Sequence, residues 1–382
     1  IQEELVKKLI ITHIKTQKAN HIGLPIINNY DVKLENVLEA LRERNASKIL
    51  VQSPLGLRSV ALKVGEILRE EGFEVVFSSS NCWGGCDVAY TEANNANVDY
   101  ILHLGHSRFL KRDKFPTAYI ECRYANPAPV KSLIDKVVDA ITGLKRVGVG
   151  ASVQWLDFIP EVAELLKSRG VEPVTAEPDL FSVYNAQVLG CDVSALKKIE
   201  DYVDGFLVLG SVFHGLGVAV STRKTVVAAD PHSQQVKNLE QHREKILRQR
   251  FMQITAFKQS EKVGVLVSVK PGQMRLGIAK RLNKALNESG KKSFIVTADE
   301  ITVSTIMENS FDGFVNTACP RLSLEDQATF GKPVLLPVEA LVSVGYVDWV
   351  DVVEGGYLMY PWGWSSREIG EKIWRKLVQI PL

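Results

Sequence analysis

Five cysteines are the residues best suited to hold a metal or act as nucleophiles: Cys82, Cys86, Cys122, Cys191 and Cys319. Their number is odd and they are widely scattered, which argues against a disulfide framework. In a reducing compartment they are thiols, metal ligands or catalytic groups. Cys82 and Cys86 share the stretch "NCWGGCDVAY" (81–90), around the pair Gly84-Gly85. No second close cysteine pair follows, so this is not a zinc ribbon. Cys86, Cys191 and Cys319 each stand beside a backbone-shaping residue: Gly85, Gly190 and Pro320. Thiolates meeting from three distant positions suit an iron–sulfur cluster. A 4Fe–4S cluster normally takes four cysteines. With three, one iron stays open to act as a Lewis acid toward a substrate. The competing reading is that each cysteine is buried as a small hydrophobe, and that is the expectation for Cys122. Cys82 is left open between fourth ligand, neighbour and bystander.

A threefold repeat explains how such distant thiols can meet. The runs "SKILVQSP" (47–54), "KRVGVGASV" (145–153) and "EKVGVLVSVK" (261–270) are short and apolar, as buried strands are. Each is followed by helical spacing, for example Val60, Ala61, Val64, Ile67 and Leu68 in the first. Each helix then stops at a glycine: Gly72, Gly170 and Gly290. Counted from Lys48, Arg146 and Lys262, these glycines lie 24, 24 and 28 positions on. Glycine is favoured there because the position past a helix end needs positive φ. A second, third and fourth apolar run complete each repeat, the last being "TAYIEC" (117–122), "TVVAAD" (225–230) and "PVLLPVEAL" (333–341).

Continuous apolar runs alternating with helices predict parallel sheets covered on both faces. The expected fold is α/β: three similar α/β domains with parallel four-stranded sheets around a pseudo-threefold centre. The expected domains are 1–144, with an N-terminal helical extension, 145–256 and 257–382. "HREKILRQRFMQITAFKQSEK" (242–262) reads as a charged helix bridging the second junction. Cys86 and Cys191 fall in loops after second strands, and Cys319 ends a third strand. Functional groups gather at the carboxyl ends of strands in such sheets, so one cysteine from each domain can face a common centre.

At 382 residues with a net charge of +2, composition gives no sign of a nucleic-acid or membrane partner. No apolar run approaches the ~20 residues that span a bilayer. The first twenty residues form an amphipathic charged segment unlike a signal peptide. The missing initiator Met suggests trimming, and the expected location is cytoplasmic.

Several polar residues at strand ends are candidates for a ligand pocket. "SPLG" (53–56), with Gly56, opens a helix whose N–H groups can meet an anion. "VKPGQ" (269–273) is the same turn in the third repeat, with Lys270 and Gln273 as polar handles. His106 and Ser107 end one third strand, and Ser211 and His214 end another, with His106 and His214 read as equivalent. Arg321 follows Cys319 and is placed to tune a cluster or bind a carboxylate; Asp87 reads as a turn residue. No Walker A pattern is present. "PWGW" (361–364) reads as packing or a dimer contact.

With those residues in hand, the chain resembles the archaeal diphthamide-synthesis enzymes, 3-amino-3-carboxypropyl transferases that modify elongation factor 2. The family's three cysteine motifs match "WGGCD" (83–87), "LGC" (189–191) and "ACPR" (318–321), with Trp83 where Tyr is usual. "VQSPLGLR" (51–58), "HLGHS" (103–107), "GSVFHGLGVAVSTRK" (210–224) and "SVKPGQMRL" (268–276) fit as well. The likeness covers roughly residues 36 to 345. It implies a 4Fe–4S cluster on Cys86, Cys191 and Cys319, not Cys82. It further implies S-adenosylmethionine on the open iron, and cleavage to methylthioadenosine and a 3-amino-3-carboxypropyl radical. That radical adds to imidazole C2 of a histidine on elongation factor 2. A homodimer and an electron donor are also implied. Two alternatives stand beside this reading. A quinolinate synthase-like 4Fe–4S dehydratase shares the three-domain plan, but the cysteine motifs favour the transferase. A non-catalytic metal-binding partner subunit would have no need of all three motif cysteines.

Overall fold

The structure is a computed structural model that describes residues 26–359 and Pro361. The amphipathic first twenty residues and most of "PWGW" lie outside the described residues. The chain forms two compact units. Among described residues, the smaller holds 26–82, Ala89–His106 and Asp113–Asn126. The larger holds Trp83–Val88, Ser107–Arg112 and the chain from Pro127 onward. No described helix is long and apolar enough to cross a membrane.

One sheet recurs three times. In the smaller unit the spatial order is Glu74–Phe77, Lys48–Gln52, Tyr100–Leu104, Thr117–Ile120, all parallel. In the larger unit the first sheet runs Glu172–Val174, Arg146–Ala151, Gly205–Leu209, Thr225–Asp230. The second runs Lys292–Ala298, Lys262–Ser268, Gly313–Asn316, Val334–Leu335. Each is the order second, first, third, fourth, so the expected α/β class with parallel sheets holds. Tyr100–Leu104 and Gly205–Leu209 are buried at every position, which is why these strands read as unbroken apolar runs.

Two details differ from the sequence expectation. The sheet of 146–238 has a fifth, antiparallel edge strand, Gln235–Asn238. In "PVLLPVEAL" only Val334–Leu335 is strand. Pro337 then opens the helix Pro337–Ser343, because proline lacks the N–H a strand would use but fits a first helical turn.

The predicted helix stops are present. Gly72, Gly170 and Gly290 have φ of +93°, +78° and +89°. The next residue in each case reaches back five: Phe73 N–H to Leu68 O, Val171 to Leu166, Lys291 to Leu286, at 3.0, 3.0 and 3.1 Å. This is the Schellman closure, which satisfies orphan helix carbonyls and turns the chain back into the sheet.

A second repeated device was not anticipated. Asp99, Asp204 and Asp312 each precede a third strand. Asp99 accepts the backbone N–H of Ser47 and of Lys48. Asp204 accepts those of Lys145 and Arg146, and Asp312 those of Glu261 and Lys262. All six distances lie between 2.8 and 3.0 Å. Each carboxylate thus clamps the start of the third strand to the start of the first. The backbone donors hold all three carboxyls below the usual range.

The helix Glu240–Lys258 carries the predicted charged stretch, but one of its charges faces inward. Arg250 is 2% exposed. Its Nε and Nη2 meet Glu339 at 2.7 and 2.5 Å, and its remaining donors reach the Ser323 and Val334 carbonyls at 2.8 Å. Glu339 also accepts the Leu336 N–H. The guanidinium therefore pins the helix Pro320–Leu324 to the core.

Two outcomes are expected. The three aspartates have depressed folded pKa values, so their contribution is present above the unfolded value of ~3.9 and is lost as pH falls through the folded values. Asp312→Asn should melt below wild type at pH 7, and calorimetry should show that gap closing as pH drops toward 3. Arg250→Met should destabilise by about 3–5 kcal/mol because Glu339 is left buried and uncompensated, while Arg250→Met with Glu339→Leu should recover much of the loss in denaturant titrations.

Candidate functional site

Cys86 stands in a tight turn of the larger unit. The Asp87 N–H donates to Gly84 O at 2.9 Å, and the Trp83 N–H to Asp87 Oδ2 at 3.3 Å. The loop that follows the strand Lys262–Ser268 closes over it. Gly272 N–H donates to Cys86 O at 2.7 Å, and Gln273 Nε2 donates to Cys86 Sγ at 3.4 Å. A Cβ on Gly272 would lie 2.6 Å from both Cys86 Cα and Cβ, so only glycine permits this approach. Lys270 does not reach the thiol. Its Nζ sits between Asp87 at 2.9 Å and Glu300 at 2.8 Å. Burial opposes its charge, but those two carboxylates raise its pKa overall. Asp87 is thus an ion-pair partner as well as a turn residue.

Cys191 follows Gly190, whose φ is +77°. The helix Val212–Ala219 packs so closely that a Cβ on Gly217 would fall 2.0 Å from Gly190 O. Asp192 fixes the other side, accepting N–H groups from Phe181, Ser182 and Ser194. Cys319 immediately precedes the helix Pro320–Leu324. Asn316 Nδ2 donates to Cys319 O at 2.7 Å and to Ser323 Oγ at 3.1 Å. Arg250 Nη1 donates to Ser323 O, so the buried ion pair steadies the helix that follows Cys319.

The three thiols are electrostatically coupled. Burial raises all three pKa values, that of Cys319 to about 12. Cys86 adds to the rise at both Cys191 and Cys319, and Cys319 adds at Cys191. One guanidinium, Arg275, interacts with all three thiols, and its Nη1 donates to Ala318 O at 3.0 Å. Among the described residues, the one set of three or more His, Cys, Asp or Glu donors lying within 4.8 Å of one another is Cys82, His103 and His106. The three thiols do not form such a set, yet Cys191 and Cys319 each feel the charge of Cys86.

The other predicted residues divide between the units. Ser107 accepts from Gln187 Nε2 at 2.6 Å. Ser211 Oγ lies 3.0 Å from His214 Nδ1. Burial lowers the His214 pKa to about 4, Asp230 opposes the shift, and the Arg321 charge adds to it. Arg321 lies over the Phe213 ring at 5.2 Å and pairs with Glu325. Gln273, Ser107, Ser211, His214 and Arg321 thus belong to the unit of the thiols, as does Lys270. Gly56, itself exposed in the short helical turn Leu55–Leu57, and His106 belong to the smaller unit.

The equivalence read for His106 and His214 does not hold. Leu104 pairs with Ile120 as Leu209 pairs with Ala229, which aligns His106 with Ser211. Cys122 is core, as expected: it is fully buried, and burial pushes its thiol to about 12. Sequence reasoning missed Arg275. Its signal was faint, an arginine two positions after Gln273 in "KPGQMRL".

Repeated parallel α/β sheets, with three thiols carried in one compact unit, define a repeat α/β protein whose thiol set is of a kind suited to a metal cluster. Comparison with known proteins gives the family. The family model for diphthamide synthesis protein matches residues 53–353, and the chain belongs to that family. The 2-(3-amino-3-carboxypropyl)histidine synthase of Pyrococcus horikoshii is 32% identical over 317 residues, 83% of this chain and 91% of that protein. Subunit 1 of the Kluyveromyces lactis enzyme of the same name is 23% identical, over 82% of this chain and 75% of its own length. The crystal structure of Dph2 from Pyrococcus horikoshii with a 4Fe–4S cluster superposes with a TM-score of 0.77 at 31% identity, covering 84% of this chain and 92% of that one.

Gly272→Ala tests the close approach. Backbone would have to move, so a loss of about 1–3 kcal/mol is expected, with faster alkylation of Cys86 in mass-spectrometric labelling. Unchanged melting and labelling would contradict the packing described.

Proposed function

We propose that this protein transfers the 3-amino-3-carboxypropyl group of S-adenosylmethionine to C2 of a histidine imidazole on elongation factor 2. The observation that carries this reading is that Cys86, Cys191 and Cys319 lie in one compact unit and all three interact with the charge of Arg275. The names of the relatives support the transferred group. In this reading the three thiolates hold a 4Fe–4S cluster. When bound, the cluster supplies a low-potential electron and an open iron for the sulfonium substrate.

The chain's own residues have separate tasks. Gln273 donates an N–H toward Cys86 Sγ, and the Arg321 backbone N–H faces Cys319. Arg275 lays positive charge against all three thiolates. Donors and cations of this kind favour the electron-rich state and set the potential. In this reading the Arg321 guanidinium meets the substrate carboxylate, a role suited to planar cationic donors, and Ser211 is a further polar group of the pocket. The reaction is read as a radical transfer that releases methylthioadenosine. The reading includes three domains with junctions near 144 and 256, supported by the recurring sheet order. A homodimer, an external electron donor and a cytoplasmic location complete it.

Anaerobic incubation with S-adenosylmethionine, dithionite and elongation factor 2 tests this. A histidine heavier by the aminocarboxypropyl group, with methylthioadenosine formed alongside, is expected in mass spectra. Full cluster loading with no methylthioadenosine would sink the assignment. Cys86→Ala should lose iron, and Cys82→Ala should retain it.

A further inference from the structure

The smaller unit contains a donor set that the transferase reading does not use. Cys82 Sγ lies 3.9 Å from His103 Nε2 and 3.9 Å from His106 Nδ1, and the two nitrogens lie 3.0 Å apart. A tetrahedral ion with nitrogen bonds of about 2.0 Å and a sulfur bond of about 2.3 Å sets its nitrogens about 3.3 Å apart and each about 3.5 Å from sulfur. The observed spacings are within about 0.4 Å of that geometry.

The surroundings orient the donors. Gln52 and His103 are register partners on adjacent parallel strands. The Ala89 N–H donates to Gln52 Oε1 at 3.1 Å, which identifies that atom as the amide oxygen. His103 Nδ1 faces it at 2.9 Å and must therefore donate. Fully buried and donating from Nδ1, His103 turns its Nε2 lone pair toward Cys82 and His106. An outer hydrogen bond that fixes the tautomer of a ligating histidine is the usual second layer of a metal site. Gly105, with φ of +86°, makes the turn that brings His106 back beside His103.

From this geometry we propose that Cys82, His103 and His106 bind a borderline-soft divalent cation, zinc by ligand chemistry, using none of the three thiols assigned to the cluster. One sulfur and two imidazoles suit such an ion, and three protein ligands leave a fourth position for water or an exchangeable group.

The test is titration of the anaerobically purified, cluster-loaded full chain with Co²⁺, a spectroscopic stand-in for zinc. Thiolate-to-cobalt absorption should grow and saturate near one equivalent per chain. Cys82→Ser should abolish that band, and His106→Asn should abolish or strongly weaken it, with iron content and far-ultraviolet circular dichroism unchanged in both. If one variant fails to fold, the other decides. The proposal is overturned if the wild type shows no such band, or if the band persists in the folded variants. It is equally overturned if Cys82→Ser loses iron, because Cys82 then serves the cluster.

Discussion

Three partly buried thiols in one compact unit raise each other's cost of ionisation. Burial alone disfavours thiolate, and each neighbouring charge adds to the effect. Such a set is stable as thiols, or as thiolates neutralised by a strongly positive group bound among them. Arg275, joined at Cys319 by Arg321, is too little to neutralise three charges. The polypeptide around them is therefore specialised for support: glycines that let backbone approach, amide donors aimed at sulfur, and caps that fix the turns. Gly272 against Cys86 and Gly217 against Gly190 are two such approaches.

The scaffold delivers that support by repetition. An aspartate clamp fixes where each sheet begins, and a Schellman turn fixes how each first helix returns. The loops at the carboxyl ends of the strands are then free to differ, and they do. Cys86 sits in a tight turn, Cys191 follows a left-handed glycine, and Cys319 precedes a short helix. The Arg250–Glu339 pair extends this support inward, since the guanidinium that satisfies Glu339 also holds the Ser323 carbonyl on the helix after Cys319. A buried pair of this kind is weak evidence for net stability. Its hydrogen bonds do restrict how that helix can sit.

Much of this was legible in the sequence. Strand positions followed from apolar runs, helix ends from Gly72, Gly170 and Gly290, and the sheet class from alternation. The aspartate clamps were present in "VDY", "VDG" and "FDG" but were not read, because an aspartate before a strand also marks any polar turn. Arg250 looked like one more charge on a charged helix. Its burial depends on Glu339, 89 positions away, and no local pattern carries that. The pairing of His106 with His214 failed because it was matched by residue type, whereas register is set by hydrogen bonding and aligns His106 with Ser211.

The opening pair of cysteines shows where the division falls. Composition and repeat spacing determined by themselves that the chain is a threefold α/β protein, since apolar periodicity and glycine stops are local properties written residue by residue. The motif around Cys86, Cys191 and Cys319 was likewise visible as text. Only the tertiary structure decided what each cysteine keeps company with. The boundary between the compact units runs between Cys82 and Cys86, so residues four apart have different partners. Cys86 belongs with Gln273 and Gly272, nearly two hundred positions on, and Cys82 with His103 and His106. The physical reason is that side-chain neighbourhoods come from packing between distant strands and loops, and sequence separation does not measure that distance.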